Sequence, residues 1–390
     1  MTSSKKNQQA FSVFINDVNS RKAFDIVNII QNQLKYSITL ASPKDSHFQL
    51  PLIYLKKIYR LRSDAFENFK SDLTTIEKQV KGLLVFLPVS EKATRFFIML
   101  RDASALSDRW RFSLPTLEIF NLTSDKWSFQ QFCEKHDHPV PKSYTPQNFN
   151  ELQKQFRPVV LKPKSGQGSV GIKYYEKIEE LPKSEEIDWD KNLIQEKISA
   201  KKRVAGAFFF RHNGKIYSEY CHQRLRTFPN EGGVTVYSKS VVYPEILEIG
   251  KALLKDLNWE GMAMIEFMFD EPTQTWRIIE LNPRLWGSVL LSAFNDSKML
   301  GNYIEASLNN SVEVVEAKET QPMYIRWLLP FELLSLIKGK LSLQEFLHFN
   351  FKKTCYVNYT YASFYRALLF LFYFIFNLAS FSRFLKKLGT

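Results

Sequence analysis

Two glutamates in residues 262–284 have the type and spacing of metal ligands. By composition this segment is a strand, a turn and a return strand. If the hairpin is symmetric about its turn, Glu266 lies opposite Glu280, and strand alternation places Glu280, Asn282 and Arg284 on one face. Opposed carboxylates repel each other in a sheet, but a divalent cation between them reverses the sign. The hairpin therefore predicts a Mg²⁺ site at Glu266, Glu280 and Asn282, unless one glutamate faces solvent or pairs with Arg284.

A glycine-rich loop in residues 158–175 has the composition of a phosphate-binding flap. Gly166, Gly168 and Gly171 fit the pattern G-x-G-x-x-G. A dinucleotide site needs a helix after these glycines, whereas the residues that follow have strand composition. A loop between two antiparallel strands can fold over a nucleoside triphosphate and point backbone N–H groups at the phosphates. The alternative is an ordinary Gly/Ser hairpin with solvated lysines.

A third polar stretch, residues 215–226, has strand composition and carries a row of basic side chains. Alternation places His222, Arg224 and Arg226 on one face. Such a row needs an anion nearby, either a phosphate, a substrate carboxylate or the glutamates described above. The alternative interpretation is a solvated edge strand.

The elements that would position these residues fall into three predicted regions. Residues 1–115 alternate between strands and helices, which predicts a small open α/β domain. Its strand ends are where a ligand would bind, although no residue there identifies the ligand. Residues 116–320 hold the polar motifs, with a helix predicted to begin at residues 123–125. Residues 321–390 are predicted to be helical and rich in aromatic residues. The predicted strands of the first region are 11–15, 36–40, 58–61 and 82–88, and its helices are 21–34 and 66–80.

Taken in order, these motifs resemble the ATP-grasp superfamily of carboxylate–amine ligases, in the branch similar to the large subunit of carbamoyl phosphate synthase. The order is an early lysine, a strand lysine before the glycine loop, a hinge segment and the paired acids. The resemblance covers about residues 116–305, and residues 11–115 look like the α/β domain that precedes it in that family. It implies a fold of the α/β and α+β type, with an open α/β domain followed by a two-lobed ATP-grasp domain and a helical tail.

The resemblance also implies roles for individual residues. Arg284 would stabilise the transferring phosphoryl group, and Arg224 would contact the substrate or the intermediate. The ribose contact stays unassigned because residues 199–203 are basic where an acidic residue is expected. Mg²⁺, with Mn²⁺ as an alternative ion, would be held by Glu266, Glu280 and Asn282. The implied ATP-binding residues are Lys126, Lys162, Gly166, Gln167, Gly168, Ser169, Gln195, Glu196, Lys197 and Ile198.

The implied reaction joins a carboxylate to an amine, or less often to a thiol, through an acyl phosphate formed from ATP. The carboxylate would belong to a small molecule or an envelope precursor, and a homo-oligomer is left open. A related phosphotransferase that releases a phosphorylated product is the alternative function. A Rossmann oxidoreductase is disfavoured by the strand composition that follows the glycines.

Charge and cysteine content limit the classes of partner and compartment. The chain has 390 residues, with 53 Lys and Arg against 40 Asp and Glu, which favours an anionic partner. No recognised nucleic-acid motif accompanies this charge, so no specific nucleic-acid partner is expected. Three distant cysteines and the lack of a secretory signal predict a cytoplasmic protein.

The aromatic tail is the remaining unusual feature. Residues 367–382 carry no charge and are followed by Arg383, Lys386 and Lys387. This stretch falls short of the roughly 20 residues that span a bilayer. Its tyrosines and basic flanks predict an interfacial helix on an anionic membrane surface, which would place the protein peripherally on the inner face of the membrane. Packing against the protein or a dimer partner is the alternative, and a spanning helix is least favoured.

Overall fold

The chain folds into three β-sheets with helices packed against them, as seen in a computed structural model. This arrangement confirms the predicted combination of α/β and α+β architecture. The structure describes residues 10–20, 22–43, 56–154, 156–164, 171–200, 203–228, 234–319 and 321–376.

The first sheet is parallel and has the strand order β3–β2–β1–β4–β5. The predicted strands of this region are confirmed, with boundaries shifted by one or two residues. All five residues of β4 are buried, as expected where helices cover both faces of a parallel sheet. The elements are β1 (Phe11–Ile15), α1 (Ala23–Asn28, continued by a π-helical turn, Ile29–Gln33), β2 (Ile38–Ser42), β3 (Ile58–Arg60), α2 (Phe66–Gln79), β4 (Leu83–Leu87), α3 (Glu91–Asp102) and β5 (Trp110–Arg111).

The second sheet is antiparallel and carries the glycine-loop hairpin. Its order is β6–β9–β7–β8. The predicted helix start at residues 123–125 is right only for Asp125. Its carboxylate accepts a hydrogen bond from the Ser128 N–H at 2.8 Å, so the new helix begins after it, while Thr123 and Ser124 end the preceding helix. The elements are α4 (Leu117–Ser124), α5 (Lys126–Lys135), β6 (Ser143–Tyr144), α6 (Phe149–Lys154), β7 (Val159–Pro163), β8 (Lys173–Tyr175) and β9 (Asn192–Glu196).

The third sheet has seven strands in the order β14–β13–β10–β11–β12–β15–β16. It carries both the carboxylate hairpin and the basic strand. The elements are β10 (Val204–His212), β11 (Lys215–Phe228), β12 (Val234–Ser240), α7 (Pro244–Asp256), β13 (Gly261–Asp270), β14 (Thr275–Asn282), α8 (Val289–Phe294), α9 (Met299–Ser307), β15 (Tyr324–Arg326) and β16 (Thr354–Tyr356).

The C-terminal region is less purely helical than predicted, because β15 and β16 extend the third sheet. Between these strands lie a π-helical turn (Leu328–Glu332), α10 (Leu333–Ile337) and α11 (Leu343–Leu347), and after them lies α12 (Phe364–Phe376). The domain boundaries at residues 115 and 320 stay a prediction.

Helix α12 begins with one side docked on the first domain. Arg366 is buried and donates hydrogen bonds to the side-chain oxygens of Asn28 at 3.0 Å and Gln31 at 2.7 Å. The other side exposes Phe364, Tyr365, Leu368 and Phe372. No helix in the described parts of the chain is long and apolar enough to cross a membrane. Contact of the tail with an anionic membrane stays a prediction, and residues 377–390 lie outside the described residues.

The first sheet and the segment after β5 make close contacts with the region of the third sheet. The Tyr303 hydroxyl donates to the Phe86 carbonyl at 2.8 Å. At the start of β13, Gly261 has φ +96°, and a Cβ atom there would lie 2.3 Å from the Ser113 carbonyl oxygen. Glycine is therefore required at this junction for two reasons, its backbone conformation and the lack of space.

Gly261→Ala should lower the free energy of unfolding by about 2–4 kcal/mol, because the added methyl group overpacks the junction and strains the backbone. Gly339→Ala is the matched control. That glycine also has a positive φ, +65°, but nothing lies within 4 Å of an added Cβ, so only about 1 kcal/mol of strain is expected. Urea denaturation measures both variants, and equal losses would contradict the crowding argument.

Candidate active site

The two glutamates of the hairpin lie opposite each other, as predicted. Glu266 of β13 is the register partner of Glu280 of β14. The turn has four residues rather than being centred on Thr273, so a regular ladder would have offset the glutamates. A β-bulge corrects the offset, because Phe267 pairs with Ile278 and Ile279 is left over. The bulge therefore decides that the two carboxylates share one position in the sheet.

Asn282 lies on the same side of β14 as Glu280. Its amide nitrogen donates to the Glu280 carboxylate at 2.8 Å. The three predicted metal ligands are therefore adjacent.

Glu266 is buried and ion-paired. Its partner is Arg224, which lies two strands away on β11. Burial raises the pKa of Glu266, Arg224 opposes that rise, and Glu280 adds to it. Arg224 thus offsets part of the negative charge of the carboxylate pair.

A glycine lies on the strand between Glu266 and Arg224. Gly206 of β10 is the register partner of Glu266 on one side and of His222 on the other. A Cβ at Gly206 would lie 2.9 Å from the Phe208 ring and 3.2 Å from His222 Nε2, so a side chain there would be crowded. The sequence alone does not single out Gly206, because its neighbours depend on which strands lie beside β10.

Of the three basic side chains predicted to form a row on β11, only Arg224 contacts a carboxylate of the hairpin. His222 is buried, and its Nδ1 lies 3.0 Å from the Ser288 hydroxyl. Burial, aided by Arg224, lowers the pKa of His222 to about 3, so this side chain is neutral. The ladder is irregular between Arg224 and Arg226, and Arg226 pairs with Glu332 at 3.2 Å. Treating His222 as a cation was therefore wrong.

Lys162 faces the same carboxylates from the second sheet. Burial lowers the pKa of Lys162 to about 8, while Glu280 and Glu266 oppose this effect and Lys126 adds to it. The Lys126 N–H donates to the Lys164 carbonyl at 2.8 Å, which fixes the start of α5 beside the end of β7. Lys162 on the second sheet, Lys126 at the start of α5 and the two glutamates on the third sheet thus form one charged cluster.

The glycine loop joins two antiparallel strands, as predicted for a flap. Val159 pairs with Tyr175 and Leu161 with Lys173. The loop residues Gly166, Gln167, Gly168 and Ser169 lie outside the described residues. Gly171 at the far end has φ +80°, a conformation that favours glycine.

The predicted hinge segment, residues 193–198, covers most of β9, an inner strand of the same sheet, and the two residues after it. Gln195 is buried, and its amide donates to the side-chain oxygens of Gln130 at 2.6 Å and Ser143 at 3.0 Å. Glu196 pairs with Arg157 at 3.0 Å. The side chain of Gln195 therefore joins β9 to α5 and β6 in the interior.

The hinge backbone is partly engaged as well. The Lys197 N–H donates to the Pro158 carbonyl at 2.8 Å, and its ammonium pairs with Glu176. Ile198 follows it, half-buried. The Lys197 N–H and ammonium are therefore both engaged within the protein.

Arg284 connects the carboxylates to the first domain. Burial lowers the pKa of Arg284, and Glu91 and Glu280 on either side of it oppose that effect. The next residue, Leu285, donates its N–H to the Pro88 carbonyl at 2.8 Å and accepts a hydrogen bond from Lys22. The loop after β14 is thus fixed to the ends of the first sheet.

A cleft of about 610 Å³ opens beside Arg284. It lies beyond the carboxyl ends of β1 and β4, the adjacent central strands where an open α/β sheet binds ligands. Lys22, Lys92 and Arg95 line it together with Arg284, and Asp17 and Glu91 are its acidic members. The sequence indicated this edge of the sheet and Arg284 but none of the other lining residues, although the Ser90 cap before Lys92 was a usable signal.

The donor set suits a hard divalent cation. No group of three or more His, Cys, Asp or Glu side chains that could hold a metal occurs among the residues that the structure describes. Two glutamates and one amide provide few protein ligands. Mg²⁺ commonly fills its remaining coordination positions with waters and phosphate oxygens. Their adjacency therefore fits Mg²⁺ bound together with a phosphate.

Comparison with known protein families agrees with the resemblance noted in the sequence. Residues 123–288 match the model of the ATP-grasp domain. This match contains the early lysine, the flap, the hinge and both glutamates. A search of curated proteins found no match to the chain.

Solved structures share the fold at low sequence identity. Biotin carboxylase from Campylobacter jejuni is 14% identical with a TM-score of 0.61, over 78% of this chain and 72% of that one. The biotin carboxylase domain of Hydrogenobacter thermophilus 2-oxoglutarate carboxylase, solved with MgADP and bicarbonate, is 13% identical with a TM-score of 0.63, over 82% and 74%. L-amino acid ligase from Bacillus licheniformis is 13% identical with a TM-score of 0.57, over 82% and 79%.

The lowered pKa of Lys162 predicts that nucleotide affinity depends on pH. Below about pH 8 this lysine is charged, and above it the charge is lost. Affinity for a non-hydrolysable ATP analogue should therefore fall by up to about tenfold per pH unit above 8, with proton uptake on binding. Titration calorimetry in two buffers of different ionisation enthalpy measures both quantities.

Lys162→Arg is the control, because a guanidinium keeps its charge over this range. Its affinity should lose this pH dependence. Equal slopes in the variant and the parent protein would show that another group is responsible.

Proposed function

We propose that this protein, whose residues 123–288 form an ATP-grasp domain, is an ATP-dependent ligase that joins a carboxylate to an amine through an acyl phosphate. The observation that carries the proposal is the charged cluster between two sheets, with Glu266 and Glu280 opposed below Lys162. Arg284, which lies close to Glu280, also lines the basic cleft at the end of the first sheet.

In this proposal the nucleotide lies between the second and third sheets. Lys126 and Lys162 bind its phosphates, and Gly166, Gln167, Gly168 and Ser169 cover them as a flap. Residues 195–198 hold the adenosine, with Glu196, the Lys197 carbonyl and Ile198 as the contacts and with Gln195 supporting them from the core. The ribose contact stays unassigned.

Glu266, Glu280 and Asn282 would hold Mg²⁺, or Mn²⁺ as the alternative ion. When bound, the ion supplies charge neutralisation at the phosphates. Arg224 fixes the Glu266 carboxylate through its ion pair. This role is more specific than the predicted contact with a substrate, and it makes Arg224 a positioning residue.

The first step transfers a phosphoryl group to the substrate carboxylate. A carboxylate oxygen attacks the γ-phosphorus, the bond from that phosphorus to the ADP oxygen breaks, and an acyl phosphate forms. Arg284 lies between Glu280 and the cleft, so it is suited to stabilise the charge on the moving phosphoryl group. An amine then attacks the acyl carbon, phosphate leaves with the bonding electrons, and the amine loses a proton.

The carboxylate substrate binds in the cleft of the first domain. Lys22, Lys92 and Arg95 give this cleft an excess of positive charge over Asp17 and Glu91. The start of α3 adds the positive end of a helix dipole. A small-molecule carboxylate or an envelope precursor suits these surroundings, whereas a cationic substrate does not.

Glu280→Gln should reduce ATP turnover by at least about 100-fold with the fold intact, because the amide binds a divalent cation poorly and removes one of the two opposed charges. Release of ADP in the presence of pooled carboxylates and amines is the measurement. Glu313→Gln is the matched control, since that carboxylate is exposed and pairs with Lys298 at 2.7 Å. Turnover of Glu280→Gln at the parent rate would refute the assignment.

The products separate the ligase from the alternative phosphotransferase. An amide with ADP and phosphate, identified by mass spectrometry, supports the ligase. A stable phosphoester with ADP supports the phosphotransferase. Hydroxylamine added during turnover should trap the acyl phosphate as a hydroxamate only in the first case.

Arg95→Gln should raise the KM for the carboxylate substrate by about 10- to 100-fold and leave the KM for ATP unchanged, because one charge-assisted contact is lost in the cleft. Steady-state kinetics with each substrate varied in turn measure both constants. Arg60→Gln, an exposed arginine on β3 outside the cleft, is the control. An equal rise in both KM values would place the carboxylate elsewhere.

A further inference from the structure

Exposed apolar side chains concentrate in one loop between β15 and β16, residues 337–353. Phe351 is 74% exposed, Leu343 is 60% exposed and Leu347 is 57% exposed. Leu343 and Leu347 are one turn apart on α11, so they share a face. Phe349 stacks on Phe351 with ring centroids 5.9 Å apart. Large apolar side chains grouped in this way mark an interaction surface.

The charges of the same loop are basic. Its lysines are Lys338, Lys340, Lys352 and Lys353, all exposed, against the single acidic residue Glu345. The Glu345 carboxylate is engaged within the loop, since it accepts hydrogen bonds from the N–H of Ser342 at 2.9 Å and from its hydroxyl at 2.8 Å. The outward surface of the loop is therefore apolar and positively charged.

The loop is held by a buried ion-pair cluster. Arg326 donates to the carbonyls of His348 at 2.6 Å, Phe346 at 3.2 Å and Glu345 at 3.3 Å, which satisfies the end of α11. Its guanidinium also pairs with the fully buried Glu332 at 2.6 Å. These contacts fix the backbone of the loop, while Leu343, Leu347 and Phe351 stay exposed.

We propose that residues 337–353 insert into the headgroup region of an anionic membrane. Apolar side chains flanked by lysines match such a surface in both polarity and charge, because the apolar groups enter the acyl boundary and the lysines meet the lipid phosphates. An acidic protein partner is the alternative occupant, and it predicts no binding of the chain to anionic vesicles. This surface is separate from the C-terminal tail and does not rest on the proposed reaction.

Co-sedimentation of the full chain with lipid vesicles tests the proposal. The protein should bind vesicles of phosphatidylcholine mixed with phosphatidylglycerol, and bind phosphatidylcholine alone far more weakly. Lys352→Gln with Lys353→Gln should weaken binding roughly 30-fold, because each lysine near such a surface contributes about a factor of five. Lys70→Gln with Lys78→Gln, on the exposed side of α2, is the charge-matched control and should change binding by less than about twofold.

The apolar contribution is tested by Leu343→Ser, Leu347→Ser and Phe351→Ser combined, which should weaken vesicle binding more than about tenfold. Val314→Ser, at a side chain that is 41% exposed elsewhere, is its control. Circular dichroism checks the fold, and the lysine variants test the proposal even if the triple variant unfolds. Failure of the parent chain to bind anionic vesicles, unchanged binding of the lysine variant, or self-association abolished by the triple variant without vesicle binding would each overturn the proposal.

Discussion

The opposition of Glu266 and Glu280 is the constraint on which the arrangement of the site depends. Two like charges at one position of a sheet repel each other, and burial of Glu266 makes that repulsion stronger. The fold compensates from two directions, with Arg224 in the same sheet and Lys162 from the sheet that faces it. Carboxylates and cations thus lie together in the site, and the proposed chemistry of a metal-bound phosphate would use both.

Backbone hydrogen bonds help to hold the elements around this cluster in place. The Lys126 N–H binds the Lys164 carbonyl, which joins the start of a helix to the end of the flap strand. The Leu285 N–H binds the Pro88 carbonyl, which joins the loop after the second glutamate to the first domain. Main-chain contacts of this kind do not depend on which side chains occupy these positions.

Strand β11 supplies arginines to two separate ion-pair clusters. On β11, Arg224 pairs with Glu266 in the candidate active site, and Arg226 pairs with Glu332, which also binds Arg326 beneath the apolar loop. The irregular ladder between the two arginines lets neighbouring cations serve different partners. Buried charges need partners at close range, so this strand fixes both the glutamate pair and the base of the apolar loop.

The sequence determined the order and type of most elements before residue 320 and the presence of the carboxylate hairpin, because hydrophobic alternation and turn composition are local properties. Local pattern predicted that Glu266 and Glu280 would lie opposite each other and that the glycine loop joins two strands. Only the tertiary structure decided the pairing of the two glutamates, because the bulge at Ile279 corrects the offset left by the turn. The tertiary structure likewise made His222 neutral and assembled the cleft of Lys22, Arg95 and Arg284. Burial and the identity of neighbouring strands set charge state and proximity, and neither quantity is encoded within one segment of the chain.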